Sequence, residues 1–192
     1  MEPAYLPPVK RHPYIIIIAL ALTSCWWPLQ GATLERLSLD DLIGKSTAIV
    51  RGTVGDTWTE FTGRDIYTHY KIQVSERFKG TAQKTVEIAV MGGTVGELHQ
   101  TVAGAPVLNR GDEFVFFLWT GKTGLTWIMG LTQGLFALPR AGAADPMATR
   151  AANRELMLDP NTARAVKDNA VSMKLSDLRT RIAAKVNPAV SR

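Results

Sequence analysis

Cysteine is almost absent from the chain, which has one, Cys25, in 192 residues. One cysteine cannot form an internal disulfide, so the sequence excludes a disulfide-stapled scaffold. The Gly-x-Ser-x-Gly motif of serine hydrolases is also absent. Two segments, Gly44-Lys45-Ser46 and Gly121-Lys122-Thr123, resemble the end of a phosphate-binding loop. Both lack the glycine that such a loop needs five residues before its last glycine. The sequence therefore predicts no catalytic residues and no cofactor, and we expect a protein that is not an enzyme.

Metal ligands are scarce as well. After Cys25, only His69 and His99 are histidines, and Glu97 is the acid nearest to His99. His69 lies opposite the apolar face of a predicted strand, so we expect it to be exposed. The two histidines and Glu97 can meet only if their strands are neighbours. We predict no metal site, and a hydrolase with a site near His69 and His99 remains an alternative.

Long apolar runs are limited to one, which lies near the N-terminus. Lys10 and Arg11 precede an apolar run over residues 14–22, the pattern of an export signal. Nine residues are too few to span a bilayer, which needs about 20. We predict an export signal over residues 1–32, with two cleavage sites open.

Cleavage after Ser24 would fit residues 22–25, which resemble the lipobox of bacterial lipoproteins, and would make Cys25 the lipidated residue. Cleavage near Ala32 would release a soluble protein instead. The expected location is therefore periplasmic or secreted, with a membrane-anchored lipoprotein as the alternative. Membrane contact is expected only if Cys25 is lipidated.

Alternating apolar residues and glycine-rich turns dominate residues 33–139. Ser38 is a predicted cap for a short helix over residues 39–43. Alternation favours a strand from Ile66 to Phe78 with Ile66, Thr68, Tyr70, Ile72, Val74 and Phe78 on one face, and glycines 52 and 55 suggest a bend in the strand before it. Further strands are expected over residues 47–54, 85–90, 114–119, 127–129 and 135–138. Five or six strands without a long helix between them predict a mainly β domain, either an antiparallel barrel or a sandwich.

Residues 140–192 form a predicted tail with a flexible connection over 140–150, one further strand within 153–158 and a C-terminal amphipathic helix. Ser176 is the expected cap of this helix, which places Leu178, Ile182 and Val186 on one face. The tail holds 10 basic and 5 acidic residues, whereas residues 33–139 hold 10 and 11. The basic character is thus a property of the tail, and we interpret it as a solvated surface and expect no nucleic acid.

The segment after the strand over 85–90 is the candidate binding loop. Its glycines either turn the chain or let a ligand approach the backbone closely. On the second interpretation the binding residues are Gly92, Gly93, Thr94, Gly96, Glu97 and His99.

Several short motifs in this order resemble a functionally uncharacterised family of exported bacterial proteins. They comprise Leu39-Asp40-Asp41-Leu42, Ala48-Ile49-Val50-Arg51-Gly52, residues 67–74 with Phe78-Lys79-Gly80, Gly92-Gly93, residues 111–118, Gly130-Leu131-Thr132-Gln133-Gly134 and Leu175-Ser176-Asp177-Leu178-Arg179. The resemblance covers about residues 34–185 and implies no activity.

Residues 48–52, 78–80 and the strand after Gly111 also resemble, more distantly, the netrin-like domain of tissue inhibitors of metalloproteinases. That resemblance implies a small OB-like barrel of five to six strands, flanked here by the short N-terminal and the C-terminal helix. The zinc-chelating N-terminal cysteine and the disulfides of those inhibitors are missing.

The sequence thus predicts an exported, non-catalytic binding module that recognises an envelope or extracellular protein, with a secreted protease as one candidate. An envelope lipoprotein with a structural or assembly role is the second hypothesis.

Overall fold

A computed structural model describes residues 32–139 and 143–187 of the chain. The chain divides into two units, Met1–Gln30 and Gly31–Arg192, and everything below concerns the second. The predicted export signal and Cys25 lie outside the described residues.

The described residues form thirteen strands, two α-helices and one 3-10 helix, Leu131–Gly134. The helices are α1 (Leu39–Lys45) and α2 (Leu175–Val186), and neither is long and apolar enough to cross a membrane. The strands are β1 (Thr33–Glu35), β2 (Ala48–Thr62), β3 (Asp65–Lys79), β4 (Thr85–Met91), β5 (Gly93–Val95), β6 (Leu98–Gln100), β7 (Glu113–Thr120), β8 (Thr126–Ile128), β9 (Leu135–Leu138), β10 (Met147–Arg150), β11 (Leu156–Leu158), β12 (Ala165–Val166) and β13 (Val171–Lys174).

The main sheet contains eight strands. Its order is β13-β10-β9-β7-β2-β3-β4, and β8 pairs with the end of β7. A three-stranded sheet, β1-β11-β12, and the β5–β6 hairpin complete the architecture. The prediction of a mainly β protein is confirmed. The sheets are open, because β4 ends the order and only lies beside β8 without pairing to it, so a closed OB-like barrel is not confirmed.

Strands β2 and β3 form a long hairpin, and threonines near its end bind the backbone of residues 92–94 beside the site described below. The pairing between them shifts register at three points, two of which adjoin Gly52 and Gly55, as the bend predicted at these glycines requires. A Cβ at Gly52 would lie 2.6 Å from the carbonyl oxygen of Gln73, so the strands approach too closely there for any other residue.

The sheet has a hydrophobic cluster on each face. Along β7, Val115 and Phe117 pack toward α1 and α2, whereas Phe116 and Leu118 pack into the second cluster. Strand β7 is therefore covered on both faces. The prediction that Phe78 shares a face with Tyr70 is wrong, since Phe78 packs with the helices after the register shifts reverse the alternation.

Polar side chains bind the first turn of both helices, and the contact at α2 differs from the predicted one. Ser38 caps α1, as predicted, and it forms a capping box with Asp41. The Ser38 hydroxyl holds the pKa of Asp41 below its ordinary value. The predicted cap at Ser176 is wrong, because α2 begins at Leu175. The amide and the hydroxyl of Ser176 instead donate to the carboxylate of Asp145, at 2.9 and 2.7 Å. Asp145 lies 31 residues earlier in the chain, so a side chain from outside the helix binds its first turn.

Segments from the predicted tail are integral to the fold. Strands β10 and β13 extend the main sheet, and β11, inside the segment expected to add a strand, pairs with β1 in parallel. The buried Arg150 guanidinium binds the Asp168 carboxylate through two hydrogen bonds of 2.8 and 2.9 Å. These contacts fix the C-terminal segment to the edge of the sheet.

Candidate functional site

The predicted binding loop is a short β-hairpin, β5–β6, and not an irregular loop. It lies over the end of β2 and β3, where two threonine hydroxyls donate hydrogen bonds to backbone carbonyls at and just before β5. Thr59 Oγ1 donates to the carbonyl of Thr94 at 2.6 Å, and Thr68 Oγ1 donates to that of Gly92 at 2.7 Å. Two side-chain hydrogen bonds across the sheet therefore set the position of the hairpin.

Two of the glycines in the hairpin have different roles. Gly93 has φ +140°, and a Cβ there would lie 2.6 Å from Thr68 Oγ1 and 2.9 Å from Thr59 Cγ2. Gly96 has φ +58° in the turn of the hairpin, where a Cβ would meet open space. Gly93 is thus needed for close packing, whereas Gly96 only turns the chain.

A groove of about 390 Å³ opens between the end of β4, the hairpin and residues 101–107. Of the predicted binding residues it includes Gly92, Gly93 and His99, whereas Thr94, Gly96 and Glu97 do not line it. Its remaining lining is largely apolar: Thr68, Tyr70, Val90, Met91, Gln100, Thr101, Val102, Ala105, Pro106 and Val107. The geometry therefore brings half of the predicted set to one surface.

His99 stands at this groove with both ring nitrogens occupied. Thr94 Oγ1 lies 2.8 Å from Nδ1 and Thr101 Oγ1 lies 3.0 Å from Nε2. The two hydroxyls hold the ring in one orientation. Both ring nitrogens are engaged within the protein, so His99 contributes a fixed ring to the wall of the groove.

The segment from residue 101 to 108 is the part of the site that sequence reasoning missed. Pro106 and Leu108 are buried, and between them Val107 is 82% exposed. Val107 borders the first groove and also a second one of about 340 Å³ on the side of β9 and β10. The signal was available, because residues 102–108 contain no charged residue, which is unusual for a connection between strands.

A third groove, of about 350 Å³, separates β4 from β8. Ala89 and Met91 line one side of it and Trp127 the other, with Pro106 of the connecting segment at its end. Three grooves therefore meet around the segment 102–107, which we name the apolar ridge.

The prediction that His69 is exposed is wrong. Its side chain is 2% exposed, because Trp58 stacks on the ring with centroids 5.2 Å apart and Tyr67 packs at its edge. Glu87 Oε1 lies 2.8 Å from Nδ1, and Glu60 Oε1 lies 3.3 Å from Nε2. A residue on the outer face of a strand is thus buried by its neighbours on β2 and β4.

His69 and His99 are not brought together. Successive residues of a strand point to opposite faces, so His69 and Trp58 face away from Thr68 and Thr59, which bind the hairpin. His99 is therefore on the other face of the sheet from His69. Over residues 32–139 and 143–187, no three His, Cys, Asp or Glu side chains are grouped so that they could hold a metal ion.

Comparison of the sequence with protein-family models and with curated proteins found no match.

Proposed function

We propose that the protein is an exported, non-catalytic binding module that recognises an envelope or extracellular protein through the apolar ridge and its three grooves. A secreted protease is one candidate partner. The observation that carries the proposal is Val107, an aliphatic side chain 82% exposed between two buried anchors, Pro106 and Leu108. An apolar side chain held out on a fixed backbone loses little entropy when a partner covers it.

The grooves support a protein partner of a particular chemistry. Each has a volume of 340–390 Å³, enough for one or two side chains, and their linings are mostly apolar with few hydrogen-bonding groups. Apolar anchors that enter such pockets supply most of the binding energy of protein interfaces. The partner is expected to present aliphatic or aromatic side chains to these grooves.

Membership of the family of exported bacterial proteins and a relationship to the netrin-like domain are both proposed as well. The position of β4 next to β8 supports the OB-like relationship, because closing that groove would complete a five-stranded barrel from β8, β7, β2, β3 and β4.

The test uses the tagged protein expressed in its own host, with mild crosslinking of the exported fraction. Val107→Asp should lose a stoichiometric partner that the wild type retains, since a carboxylate cannot be buried in an apolar pocket at low cost. Leu156→Asp is the matched control, because Leu156 is also exposed but lines none of the three grooves. Equal recovery with both variants, or no stoichiometric partner for the wild type, would refute the proposal.

Intact mass of the exported protein decides between the two forms of the proposal. Added lipid mass on Cys25 would support the lipoprotein hypothesis, and a chain beginning near Thr33 would support the soluble form.

A further inference from the structure

Residues 105–109, which we name the extended segment, have the features of a strand that lacks a neighbour. Pro106 and Leu108 are buried whereas Val107 between them is exposed, which is the alternation of an extended chain with one side against a core. A proline at position 106 restricts the residue before it to extended conformations. Proline is found at the first residue of strands and at sheet edges, so Pro106 is compatible with a strand that begins there.

The backbone of this segment offers hydrogen-bonding groups that the described part of the chain does not use. Among the described residues, the N–H and C=O groups of Val107 and Leu108 make no hydrogen bond to the protein. Leu108 is 6% exposed, and the backbone groups of buried residues are nearly always paired. The chain just after the segment is fixed to β2, because the Gly111 N–H donates to the Val54 carbonyl at 2.8 Å. A second backbone alongside would therefore meet groups that are already held in place.

The sheet beside the extended segment has an exposed face. Leu138 of β9 and Ala148 of β10 pack toward the helices. Ala137 and Thr149, which pair with each other in register, are exposed on the opposite face, where Leu108 packs into the second hydrophobic cluster. The groove of about 340 Å³ lies between the segment and these strands, and Leu108, Ala137 and Thr149 line it. A strand placed in this groove would lie on the sheet face and beside the backbone of the extended segment.

We propose that the partner presents an uncharged segment in β conformation, which lies in this groove and pairs with the backbone of the extended segment. The inference rests on the proposed function, because it names the chemistry that the apolar ridge recognises. Among the described residues that line the groove none is charged, so the partner is expected to place aliphatic or β-branched side chains on the sheet. In this mode of recognition backbone hydrogen bonds give affinity and alternate side chains give specificity. A small apolar molecule could fill the groove, but it would leave the backbone of Val107 and Leu108 unpaired.

The first test is residue-resolved amide hydrogen exchange of the purified wild-type protein, which does not depend on the folding of any variant. In the free protein, the amides of Val107 and Leu108 should exchange within about tenfold of the rate of an unstructured chain, whereas amides within β7 should be protected. The partner recovered with the wild type by crosslinking is then purified and added. At least one of the two amides should slow by about a hundredfold or more. One is enough, because successive residues of a strand direct their N–H groups to opposite sides.

The second test places a charge on the exposed sheet face. Ala137→Arg should weaken binding of the same partner at least tenfold, because the guanidinium would have to be buried under the bound strand. Leu156→Arg is the matched control, since Leu156 is also exposed but lines none of the three grooves, and it should bind as the wild type does. Of these grooves Ala137 lines only the one beside the extended segment. The urea unfolding midpoint of each variant shows whether it is folded.

The outcomes separate this inference from the proposed function. Loss of the partner in Val107→Asp together with full binding to Ala137→Arg would keep the proposed function and overturn the strand. Strong protection of both amides in the free protein, or slowing of neither in the complex, would overturn it as well. So would a dimer of the purified protein in which these amides are protected, because the occupant would then be a second copy of the chain. If the wild type recovers no partner, both proposals fail.

Discussion

The Arg150–Asp168 ion pair offers the sharpest test of how the C-terminal segment is held. Both side chains are almost fully buried, at 8% and 2% exposure, and the carboxylate also accepts the amide of Asn153 at 2.8 Å. Replacing Asp168 by Asn leaves the guanidinium buried without a counter-charge. Loss of one partner of a buried pair costs about 3–5 kcal/mol of the free energy of unfolding.

The assay is urea unfolding of the purified protein at pH 7. With an m-value of about 2 kcal/mol/M, the midpoint of Asp168→Asn should fall by about 1.5–2.5 M while the m-value stays unchanged. Asp40→Asn is the control, because Asp40 pairs with Arg181 and Lys185 on the surface, at 3.6 and 3.9 Å, and should cost less than about 1 kcal/mol. A midpoint shift for Asp168→Asn no larger than that of the control would refute the reasoning.

The same pair predicts a pH dependence. Burial alone raises the pKa of Asp168, but the hydrogen bond from Arg150, the Asn153 amide and the guanidinium charge outweigh it, so the pKa lies below its ordinary value of 3.8. A carboxyl with a depressed pKa stabilises the fold above its unfolded pKa and loses that contribution as the pH falls through the folded one. The stability gap between wild type and Asp168→Asn should therefore be constant from pH 5 to 8 and shrink below about pH 4.

Three further predictions concern single contacts. Gly93→Ala should reduce the free energy of unfolding by about 2 kcal/mol and expose the β5–β6 amides to hydrogen exchange, because φ is +140° there and the new Cβ would clash with Thr59 and Thr68. Gly96→Ala, whose Cβ would meet open space, should cost about 1 kcal/mol. Equal losses for the two variants would contradict this prediction. Gln133→Leu should cost about 2–3 kcal/mol in urea unfolding and expose β1 to limited proteolysis. The buried Gln133 side chain accepts a hydrogen bond from the amide of Leu37 and donates one to the carbonyl of Glu35, and both would be lost. An unchanged rate of cleavage would show that these two hydrogen bonds do not hold β1 in place. Arg179→Met should cost only about 0.5–1 kcal/mol of the free energy of unfolding, because the ion pair with Glu76 is partly exposed in spite of its two hydrogen bonds. A loss above about 2 kcal/mol would contradict the assignment of this pair as a weak surface interaction.

Local signals in the sequence predicted much of the secondary structure. Ser38 and Asp41 are three residues apart, so their capping box needs no information from elsewhere in the chain. The strand Leu135–Leu138 likewise has the predicted bounds. These features depend on neighbours along the chain, which the sequence shows directly.

The surroundings of His69 and Phe78 could not be predicted in the same way. His69 is buried by Trp58, Glu60 and Glu87, which belong to two other strands, so its exposure depends on the register of three strands. Phe78 changed face because bulges reversed the alternation along β2 and β3. Periodicity within one strand contains neither the pairing nor the bulges, and both decide which side chains meet.

The position of strand β1 has a consequence for the order in which the protein can fold. Thr33 pairs with Leu156, and α2, the last helix described, packs against α1 in the same hydrophobic cluster. Neither the small sheet nor that cluster can close until the C-terminal part of the chain has been made. A chain leaving the ribosome would therefore stay open for most of its synthesis, and these contacts would form only after the C-terminal residues have been made.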